Sequence, residues 1–292
     1  PSGKNMTRTL FVIFSGAILL SACHRNRPAT GLTVLHPPLQ TTEHLLHLSD
    51  IADSLSYIKL ATDTSNLIGV IDKIIPLKDR ILIVDKDITQ TIYIFDKSGK
   101  FIRKIGRVGQ GPGEIANIDF FTVSDNLVFI YPFSRNGSLT VYDMRDNSFV
   151  KEIPLKWPVF FSRAIDVMGD CLVYYPGTVY SPDNSKTFIS ACVANGEGET
   201  LMEQIPYLSS SDKKILQLSS DPSWLYRGRS NVYSFINDTI YSITCDSIFP
   251  RYHLSLGKYK LPSGRYDPTH DYGWGDFVLM QSVYETKEFL FF

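Results

Sequence analysis

The chain has little net charge, no hydrophobic run of membrane-spanning length and no familiar catalytic motif. Its 292 residues carry a formal net charge of −1, and the absence of a basic stripe argues against a nucleic-acid partner. The apolar run near its start covers only residues 10–20, well short of the ~20 residues of a transmembrane helix. Neither Gly-x-Ser-x-Gly nor His-Glu-x-x-His occurs, so the usual motifs of serine hydrolases and zinc metalloproteases are missing.

The short apolar run is typical of an export signal. It follows a charged start and ends in Leu-Ser-Ala-Cys at residues 20–23, a lipobox in which small residues fit the signal peptidase and the cysteine thiol receives the lipid. We expect residues 1–22 to be the lipoprotein signal peptide, residues 1–5 lying upstream of its first methionine, and Cys23 to be the lipid attachment site. The expected location is the cell envelope, anchored by lipid, with the outer membrane, facing periplasm or surface, as the favoured site.

The remaining chain divides by composition into a tether and a folded domain. Residues 23–46 have little apolar periodicity and are rich in Pro, Thr and Arg, which predicts a tether. The basic residues directly after Cys23 leave the membrane and its leaflet open. Residues 47–292 contain many aromatic and β-branched residues in short runs bounded by Gly, Asp, Asn and Ser, which is an all-β composition.

A repeat of about 45 residues runs through this domain. Asp85, Tyr131 and Pro176 hold the same position in three successive copies. Each complete copy contains four short strand-like runs, and a fourth copy is less regular at its start. The runs are residues 70–76, 80–85, 91–96 and 100–106; 119–123, 126–131, 139–143 and 148–155; 164–167, 171–175, 188–193 and 200–205; and 232–236, 239–244 and 248–256. Because a four-stranded unit cannot bury both faces alone, we predict copies packed face to face around an axis, as in a β-propeller.

The repeat count indicates an incomplete ring. Only four copies are complete, and residues 277–281 and 288–292 look like the beginning of a fifth. Residues 55–61 match the outermost strand of a copy, as expected where the N-terminal segment completes the last blade. We therefore expect residues 47–292 to form a propeller domain truncated at its C-terminus, with an unclosed edge.

Several segments resemble one family. Residues 107–114, with the sequence Arg-Val-Gly-Gln-Gly-Pro-Gly-Glu, together with residues 237–241, 249–252 and 256–262, are similar to the six-bladed β-propeller lipoproteins of Bacteroidota, which are related in architecture to NHL-repeat propellers. The resemblance covers residues 47–292. It implies an all-β, six-bladed propeller of four-stranded antiparallel blades, of which about four complete blades and a partial one are present. The family has no assigned activity, so no catalytic residue follows from it.

The glycine-rich residues 109–114 have two interpretations. Closely spaced glycines could cradle a phosphate, but no Gly-Lys-Ser/Thr is present and no helix is expected after the loop. A tight crossover between blades is favoured, because Gly tolerates positive φ and Pro stiffens the turn. In propellers such crossovers share a face with the loops joining second and third strands. The candidate ligand-binding residues on that face are Asp87, Arg107, Gln110, Glu114 and Arg135.

A second cluster of polar and aromatic residues lies in residues 265–276. His270 beside Asp271 could contribute to a metal site, and Trp274 could stack on a sugar ring; packing of this loop against a neighbouring blade is the favoured interpretation. His270, Asp271 and Trp274 are therefore candidate ligand-binding residues. Neither a metal site nor a cofactor is predicted.

The cysteines left after lipidation of Cys23 are Cys171, Cys192 and Cys245. Three thiols cannot all pair within one chain. In a symmetric hairpin of the third copy, Cys171 and Cys192 would lie opposite each other, so a cross-strand disulfide between them is one expectation for an oxidising compartment. Buried free thiols that pack as small hydrophobic side chains are the other.

Two functional hypotheses from different classes remain. The first is a lipid-anchored, non-catalytic scaffold whose loops bind a protein, peptide or glycan partner, and it is favoured because the repeats lack a catalytic set. The second is a propeller enzyme, a lyase or hydrolase with a metal in the axial channel, whose ligands would come from separate blades and leave no local motif. Metal content of the purified protein discriminates between them.

Overall fold

The structure of the chain is a computed structural model that describes residues 32–37, 47–50, 52–111, 113–132, 137–157, 165–180, 186–189, 191–204, 223–234, 238–260, 277–278 and 283–291. The chain divides into two units, Pro1–Leu32 and Thr33–Phe292, and every element below belongs to the second. Its elements are strands, apart from 3-10 turns at Leu48–Asp50 and Gly257–Tyr259. Within the described residues, no helix has the length and hydropathy needed to cross a membrane.

Four antiparallel sheets of four strands dominate the fold. The strands in chain order are β1 (Thr33–Leu35), β2 (Lys73–Pro76), β3 (Arg80–Asp85), β4 (Thr91–Asp96), β5 (Phe101–Ile105), β6 (Phe120–Ser124), β7 (Leu127–Tyr131), β8 (Ser138–Asp143), β9 (Phe149–Pro154), β10 (Ile165–Met168), β11 (Cys171–Tyr174), β12 (Gly177–Tyr180), β13 (Lys186–Ile189), β14 (Ala191–Asn195), β15 (Thr200–Gln204), β16 (Ser223–Tyr226), β17 (Arg229–Ser234), β18 (Thr239–Ile243), β19 (Ile248–Leu254), β20 (Tyr284–Glu285) and β21 (Leu290–Phe291). The predicted all-β class is confirmed.

Each sheet is a meander in which successive strands pair. Sheet 1 is β2-β3-β4-β5, sheet 2 is β6-β7-β8-β9, sheet 3 is β10-β11-β14-β15, and sheet 4 is β16-β17-β18-β19 with β1 added beside β19. The middle strands of sheet 1 are almost wholly buried, whereas its last strand alternates between exposed and covered positions. Continuous apolar runs therefore mark strands covered on both faces, and alternation marks the outer edge.

The sheets stack face to face in chain order. Sheets 1 and 2 share one apolar core that includes Leu82 and Ile130. Sheets 2 and 3 share a second, around Leu139 and Tyr174, and sheets 3 and 4 share a third, around Val173. Sheets 2 and 3 thus bury both faces by stacking on their neighbours, and sheets 1 and 4 bury one face each in the same way, which is the blade-like packing that the repeat predicts.

The two outward faces of this stack are covered by other parts of the chain. On the free face of sheet 1, Leu60 and Ile68 pack against buried residues that include Tyr93. On the free face of sheet 4, residues from the C-terminal segment, including Leu290 of the β20–β21 hairpin, pack against a cluster that contains Trp224. Chain segments from both termini therefore occupy the positions where further sheets would stack.

Strand positions in the first two copies agree with the sequence prediction, and later copies differ. In the third copy the predicted run 188–193 is divided at residue 190: β13 pairs with β12 as a separate two-stranded sheet, and β14 begins at Ala191. In the fourth copy, the first strand is β16, which the sequence did not indicate. The hairpin β20–β21 lies where a fifth copy was expected to begin.

The N-terminal segments differ from expectation in two places. Part of the predicted tether forms β1, which pairs in parallel with β19 from Thr33↔Tyr252 to Leu35↔Leu254, so the assignment of all of residues 23–46 to a tether is wrong at these residues. Residues 55–61, expected to be an outer strand, form no regular strand. They lie instead against the β4–β5 turn of sheet 1, where the Ala61 N–H donates to the Gly99 carbonyl at 2.7 Å.

The predicted disulfide between Cys171 and Cys192 is wrong. Cys171 is bonded to Cys245, with a Cα–Cα distance of 5.8 Å, and Cys192 is a buried free thiol. The strands β11 and β14 pair in a register three residues away from the predicted one, so Cys192 pairs opposite Tyr174 and Cys171 opposite Asn195, and β12 and β13 continue the same register. Cys171 instead faces sheet 4, and the bond joins two neighbouring sheets.

Candidate functional site

The glycine-rich segment is the crossover from sheet 1 to sheet 2, and it is closed by its own hydrogen bonds. The Ile115 N–H donates to the Arg107 carbonyl at 2.8 Å, and the Gly109 N–H donates to the Ile115 carbonyl at 3.0 Å. The Glu114 carboxylate accepts a hydrogen bond from the Gly111 N–H at 2.9 Å and forms an ion pair with the Arg107 guanidinium at 3.3 Å. Glu114 therefore stabilises the loop, and no phosphate-binding role is needed to explain it.

The crossover is also anchored to sheet 2 and to the β3–β4 loop. The Tyr142 hydroxyl donates to the Gly113 carbonyl, and the buried Ile115 and Ile118 join the core between sheets 1 and 2. The Ile118 N–H donates to the Gln90 side-chain carbonyl at 2.6 Å. Because Gln90 lies on the β3–β4 loop, this bond confirms the expected common face of crossover and second-to-third-strand loop.

The predicted candidates at this end are only partly described. Asp87, Arg107 and Gln110 are exposed, and Glu114 is half-buried. Arg135, His270, Asp271 and Trp274 lie outside the described residues, so their placement is not stated. We define the crossover face by its exposed polar residues Asp87, Arg107 and Gln110.

A second group of polar side chains lies where the first strands of the sheets come together. It consists of Lys73 on β2, Phe121 on β6, Asp166 on β10, Tyr175 directly after β11 and Ser230 on β17. We call these five residues the first-strand cluster. The strands β6 and β10 contact each other, as do β10 and β17. The sequence prediction missed this cluster, since its members come from four different sheets.

Asp166 is the buried centre of the cluster. It is 9% exposed, and Ser230 is fully buried. The Ser230 hydroxyl donates to Asp166 Oδ2, so the Tyr175 hydroxyl must donate to Ser230 Oγ, at 2.5 Å. The Ser230 N–H donates to Met168 Sδ at 3.0 Å. A chain of hydrogen bonds thus fixes one carboxyl oxygen and leaves the other without a bond to any described residue.

The surroundings of Asp166 act on the pKa of its carboxyl in opposite directions. Burial raises the pKa of its carboxyl, and the Ser230 hydrogen bond and the positive charge of Lys73 oppose that rise. The Lys73 ammonium lies 5.1 Å from the centre of the Phe121 ring, which holds a cation in place by electrostatic attraction to the ring face. The cluster therefore places a buried acceptor near an exposed cationic donor.

One sequence signal could have pointed to this site. Asp166 interrupts the apolar run of a strand that is buried along its whole length, and a carboxyl in such a strand needs partners because burying an unpaired charge is costly. Alternation along β10 directs Ile165 and Val167 to the core with sheet 2 and Asp166 toward Ser230 of sheet 4. Strand alternation alone therefore predicts which sheet Asp166 faces.

The cluster combines hydrogen-bond donors, hydrogen-bond acceptors and an aromatic ring. Among the described residues, no group of three His, Cys, Asp or Glu side chains converges as metal ligands would. The cluster offers one carboxylate, two hydroxyls, one ammonium and one aromatic ring, which can donate and accept hydrogen bonds at once. Such a set can form hydrogen bonds with a polar organic molecule.

Comparison with known proteins gives a family and a fold. No match to the chain is found among curated proteins. A crystal structure from Bacteroides fragilis NCTC 9343 named "Putative exported protein" is 23% identical with a TM-score of 0.55, and the match covers 69% of this chain and 55% of that one. The chain thus spans about half the length of that relative, and the similarity indicates a shared fold.

Weaker structural similarity extends to other proteins. Hsv2 of Kluyveromyces lactis is 14% identical with a TM-score of 0.38, over 62% of this chain and 50% of that one, which is too low to indicate a shared fold. The family defined by sequence is more decisive, because it matches residues 34–292. The chain therefore belongs to the family described as Domain of unknown function (DUF4934).

Proposed function

We propose that the protein is a lipid-anchored binding scaffold of the cell envelope, a six-bladed β-propeller that holds a protein, peptide or glycan partner at its crossover face without catalysing a reaction. The observation that carries the proposal is the construction of this face. Its loops are fixed by internal hydrogen bonds and buried isoleucines, while Asp87, Arg107 and Gln110 remain exposed. Polar groups on a rigid support bind with little loss of conformational entropy.

Three observations support the envelope location. Residues 20–23 form a lipobox, and the Bacteroides fragilis protein of similar fold carries the name of an exported protein. The disulfide Cys171–Cys245 joins sheets 3 and 4, and such structural bonds persist in the oxidising compartments outside the cytosol.

Contacts of the N-terminal segment support a closed ring. In sheet 2, the turn between third and fourth strands contacts the end of the preceding outer strand, through a 2.6 Å bond from the Gly106 N–H to Asn147 Oδ1. In sheet 3, a side chain at Gly198 would collide with the Pro154 carbonyl, and in sheet 1, a side chain at Gly99 would collide with the Lys59 carbonyl. Lys59 thus occupies the position of an outer-strand residue, as it would if residues 55–61 completed a last blade.

Binding assays on the full-length chain test the scaffold. Arrays of peptides and glycans would be probed with the wild type and with the variant Asp87→Ala/Arg107→Ala/Gln110→Ala. We expect a defined ligand whose binding is lost in this variant. The control is Lys78→Ala/Lys97→Ala/Asp170→Ala, which changes exposed charges at the opposite ends of the strands. Equal loss in both variants, or retention in both, would contradict a site on the crossover face.

The metal-dependent enzyme remains the second candidate, favoured by one observation. Burial raises the pKa of the Asp166 carboxyl, as is common for acid–base groups in active sites. Elemental analysis of the protein purified from its own envelope without added metal distinguishes the two functions. Stoichiometric calcium, zinc or iron that is lost on His270→Ala or Asp271→Ala substitution would overturn the scaffold proposal; a metal-free protein that binds its partner would support it.

A further inference from the structure

We infer that the first-strand cluster is a binding site for a neutral pyranose sugar, with Asp166 accepting one hydroxyl and Lys73 donating to another. The inference rests on the proposed scaffold function and names its ligand class and a second contact site. It is carried by two observations: the Asp166 side chain is nine-tenths buried yet incompletely bonded, and the Lys73 ammonium is held in place by an aromatic ring on β6, a strand that contacts β10.

The acceptor side of the site is built into the core. Asp166 keeps 9% of its surface exposed, and only its Oδ2 has a hydrogen bond among the described residues. Ser230 and Tyr175 lie behind that oxygen, so the carboxyl cannot turn without breaking their bonds. The second oxygen is thus held in one orientation, free to accept a hydrogen bond from a small donor such as a hydroxyl group.

The donor side of the site is held from another sheet. Lys73 is exposed, and its ammonium lies 5.1 Å from the centre of the Phe121 ring on the neighbouring first strand. The strand that carries Phe121, β6, contacts β10, which carries Asp166, and the charge of Lys73 opposes the rise in the pKa of Asp166. Phe121 is a positioning residue for Lys73, and its half-buried side chain adds apolar surface.

This combination matches the chemistry of a sugar ring. Adjacent hydroxyls both donate and accept hydrogen bonds, so one can donate to Asp166 while its neighbour accepts from Lys73. The C–H groups of the ring can pack against Phe121. A charge of each sign favours a neutral ligand, because Asp166 repels the carboxylate of a uronic acid and Lys73 repels an amine. A peptide amide, flanked by side chains, reaches a nine-tenths-buried carboxyl less readily than a hydroxyl does.

The test is a titration of the full-length chain with named sugars. Methyl glycosides of glucose, galactose, mannose and N-acetylglucosamine, together with glucuronate and galacturonate, would be titrated by saturation-transfer NMR and calorimetry. We expect at least one neutral glycoside to bind more tightly than the corresponding uronate. Lys73→Met and Asp166→Asn should each weaken binding by at least about tenfold, since each removes a hydrogen bond to a charged group.

The controls separate loss of the site from loss of the fold. Asp170→Asn changes an exposed carboxyl in the β10–β11 turn, on the hairpin that carries Asp166, and Lys97→Met changes an exposed lysine in the β4–β5 turn; neither should alter sugar binding. Thermal unfolding of each variant reports folding. If Asp166→Asn fails to fold, sugar binding by the Lys73→Met variant, whose substitution is at an exposed position, tests the inference by itself.

The outcomes distinguish this inference from the proposal on which it rests. Sugar binding that survives Lys73→Met, a preference for uronates, or peptide binding that requires Lys73 would overturn the sugar site. Absence of sugar binding, with a partner still bound through Asp87, Arg107 and Gln110, would overturn the sugar site and leave the scaffold intact. A full-length chain that binds none of the glycans or peptides would overturn both.

Discussion

At the scale of single residues, Asp85 connects three segments through backbone hydrogen bonds. Its carboxylate accepts from the N–H groups of Gly69 at 2.7 Å and Val70 at 3.1 Å, which precede β2. It also accepts from Ile88 at 2.9 Å and Thr89 at 3.0 Å, in the β3–β4 loop. Burial alone would raise the pKa of Asp85, but these four donors outweigh it and lower the pKa to about 2.

The depressed pKa of Asp85 predicts loss of stability in acid. The folded pKa lies below the ordinary value of 3.8, so the stabilisation is present above about pH 4 and is lost as the pH falls toward 2. Asp85→Asn should lower the free energy of unfolding at pH 7 by about 2 kcal/mol and flatten its dependence on pH in this window. Urea denaturation at several pH values measures both effects.

The matched control for Asp85 is Asp87→Asn in the same loop. Asp87 is exposed, so its substitution should leave both the stability and its acid dependence nearly unchanged. Equal destabilisation by the two substitutions would mean that loss of charge in the loop, rather than the four backbone hydrogen bonds, determines the effect.

Gly198 offers a second prediction at the residue scale. It has φ +88°, and a side chain there would collide with the Pro154 carbonyl of sheet 2. Gly169 also has a positive φ, +60°, but a side chain there would meet no atom within 4 Å. Gly198→Ala and Gly169→Ala should each lower the free energy of unfolding by about 1 kcal/mol, because alanine disfavours the left-handed backbone. Gly198→Ala should lower it by about 1–3 kcal/mol more, because the added side chain overpacks the contact. Equal melting temperatures for the two variants would show that sheets 2 and 3 can separate locally at no cost.

At the scale of strands and sheets, the disulfide is the strongest single link between sheets 3 and 4. Cys171 lies on β11 and Cys245 follows β18, with 74 residues of sequence separation, so the bond restricts a long loop in the unfolded chain. Removing it with Cys171→Ser/Cys245→Ser should lower the free energy of unfolding by about 4 kcal/mol. Calorimetry of the oxidised protein and of the double variant measures the difference.

The same bond has a simple chemical readout. Alkylation of the unfolded, unreduced polypeptide should label Cys192, and reduction should add labels at Cys171 and Cys245. Burial also raises the pKa of the Cys192 thiol, so labelling of the folded protein should be slow. Labels on both Cys171 and Cys245 without reductant would disprove the bond.

The element scale also explains how much of the fold could be predicted from sequence. β3, β4 and β7 contain continuous apolar runs between turns, a local pattern that identifies strands directly. β1 has three residues and forms only through parallel pairing with β19, so no local pattern reveals it. The register of the hairpin β11–β14, which β12–β13 continues, differs by three residues from the one on which the Cys171–Cys192 pairing was based, because a long loop does not fix where the chain turns.

The candidate functional residues, like the strands, could be predicted from the sequence only where the signal is local. The crossover face follows from one continuous segment, and the Gln90–Ile118 hydrogen bond confirms the shared face. The first-strand cluster is different, because Lys73, Asp166 and Ser230 lie on sheets 1, 3 and 4 and come together only after all four sheets have stacked. The sequences around Lys73 and Ser230 contain no local pattern that indicates a binding site, so only the stacking order of the sheets identifies the two residues as members of one cluster.

At the scale of the whole molecule, the N-terminal segment holds the position of an outer strand without pairing as one. Lys59 lies against Gly99 in the same way that Pro154, at the end of β9, lies against Gly198. The next residues also correspond: Leu60 packs on sheet 1, and Leu155 packs in the core between sheets 2 and 3. Yet Leu55 is 66% exposed and Tyr57 is 95% exposed. Large apolar side chains in a strand-like position are expected to be covered by a neighbouring strand.

Ring closure therefore makes a prediction about the amides of residues 55–61. In a chain that carries further blades, these amides should gain hydrogen-bonded partners and exchange with deuterium far more slowly than in the 292-residue chain, because exchange then requires opening of a sheet. Amides of β3, buried and paired in sheet 1, serve as the internal reference in both chains. Fast exchange at residues 55–61 in both chains would mean that the segment only covers sheet 1, and the proposed six-bladed ring would then lack the strand that closes it.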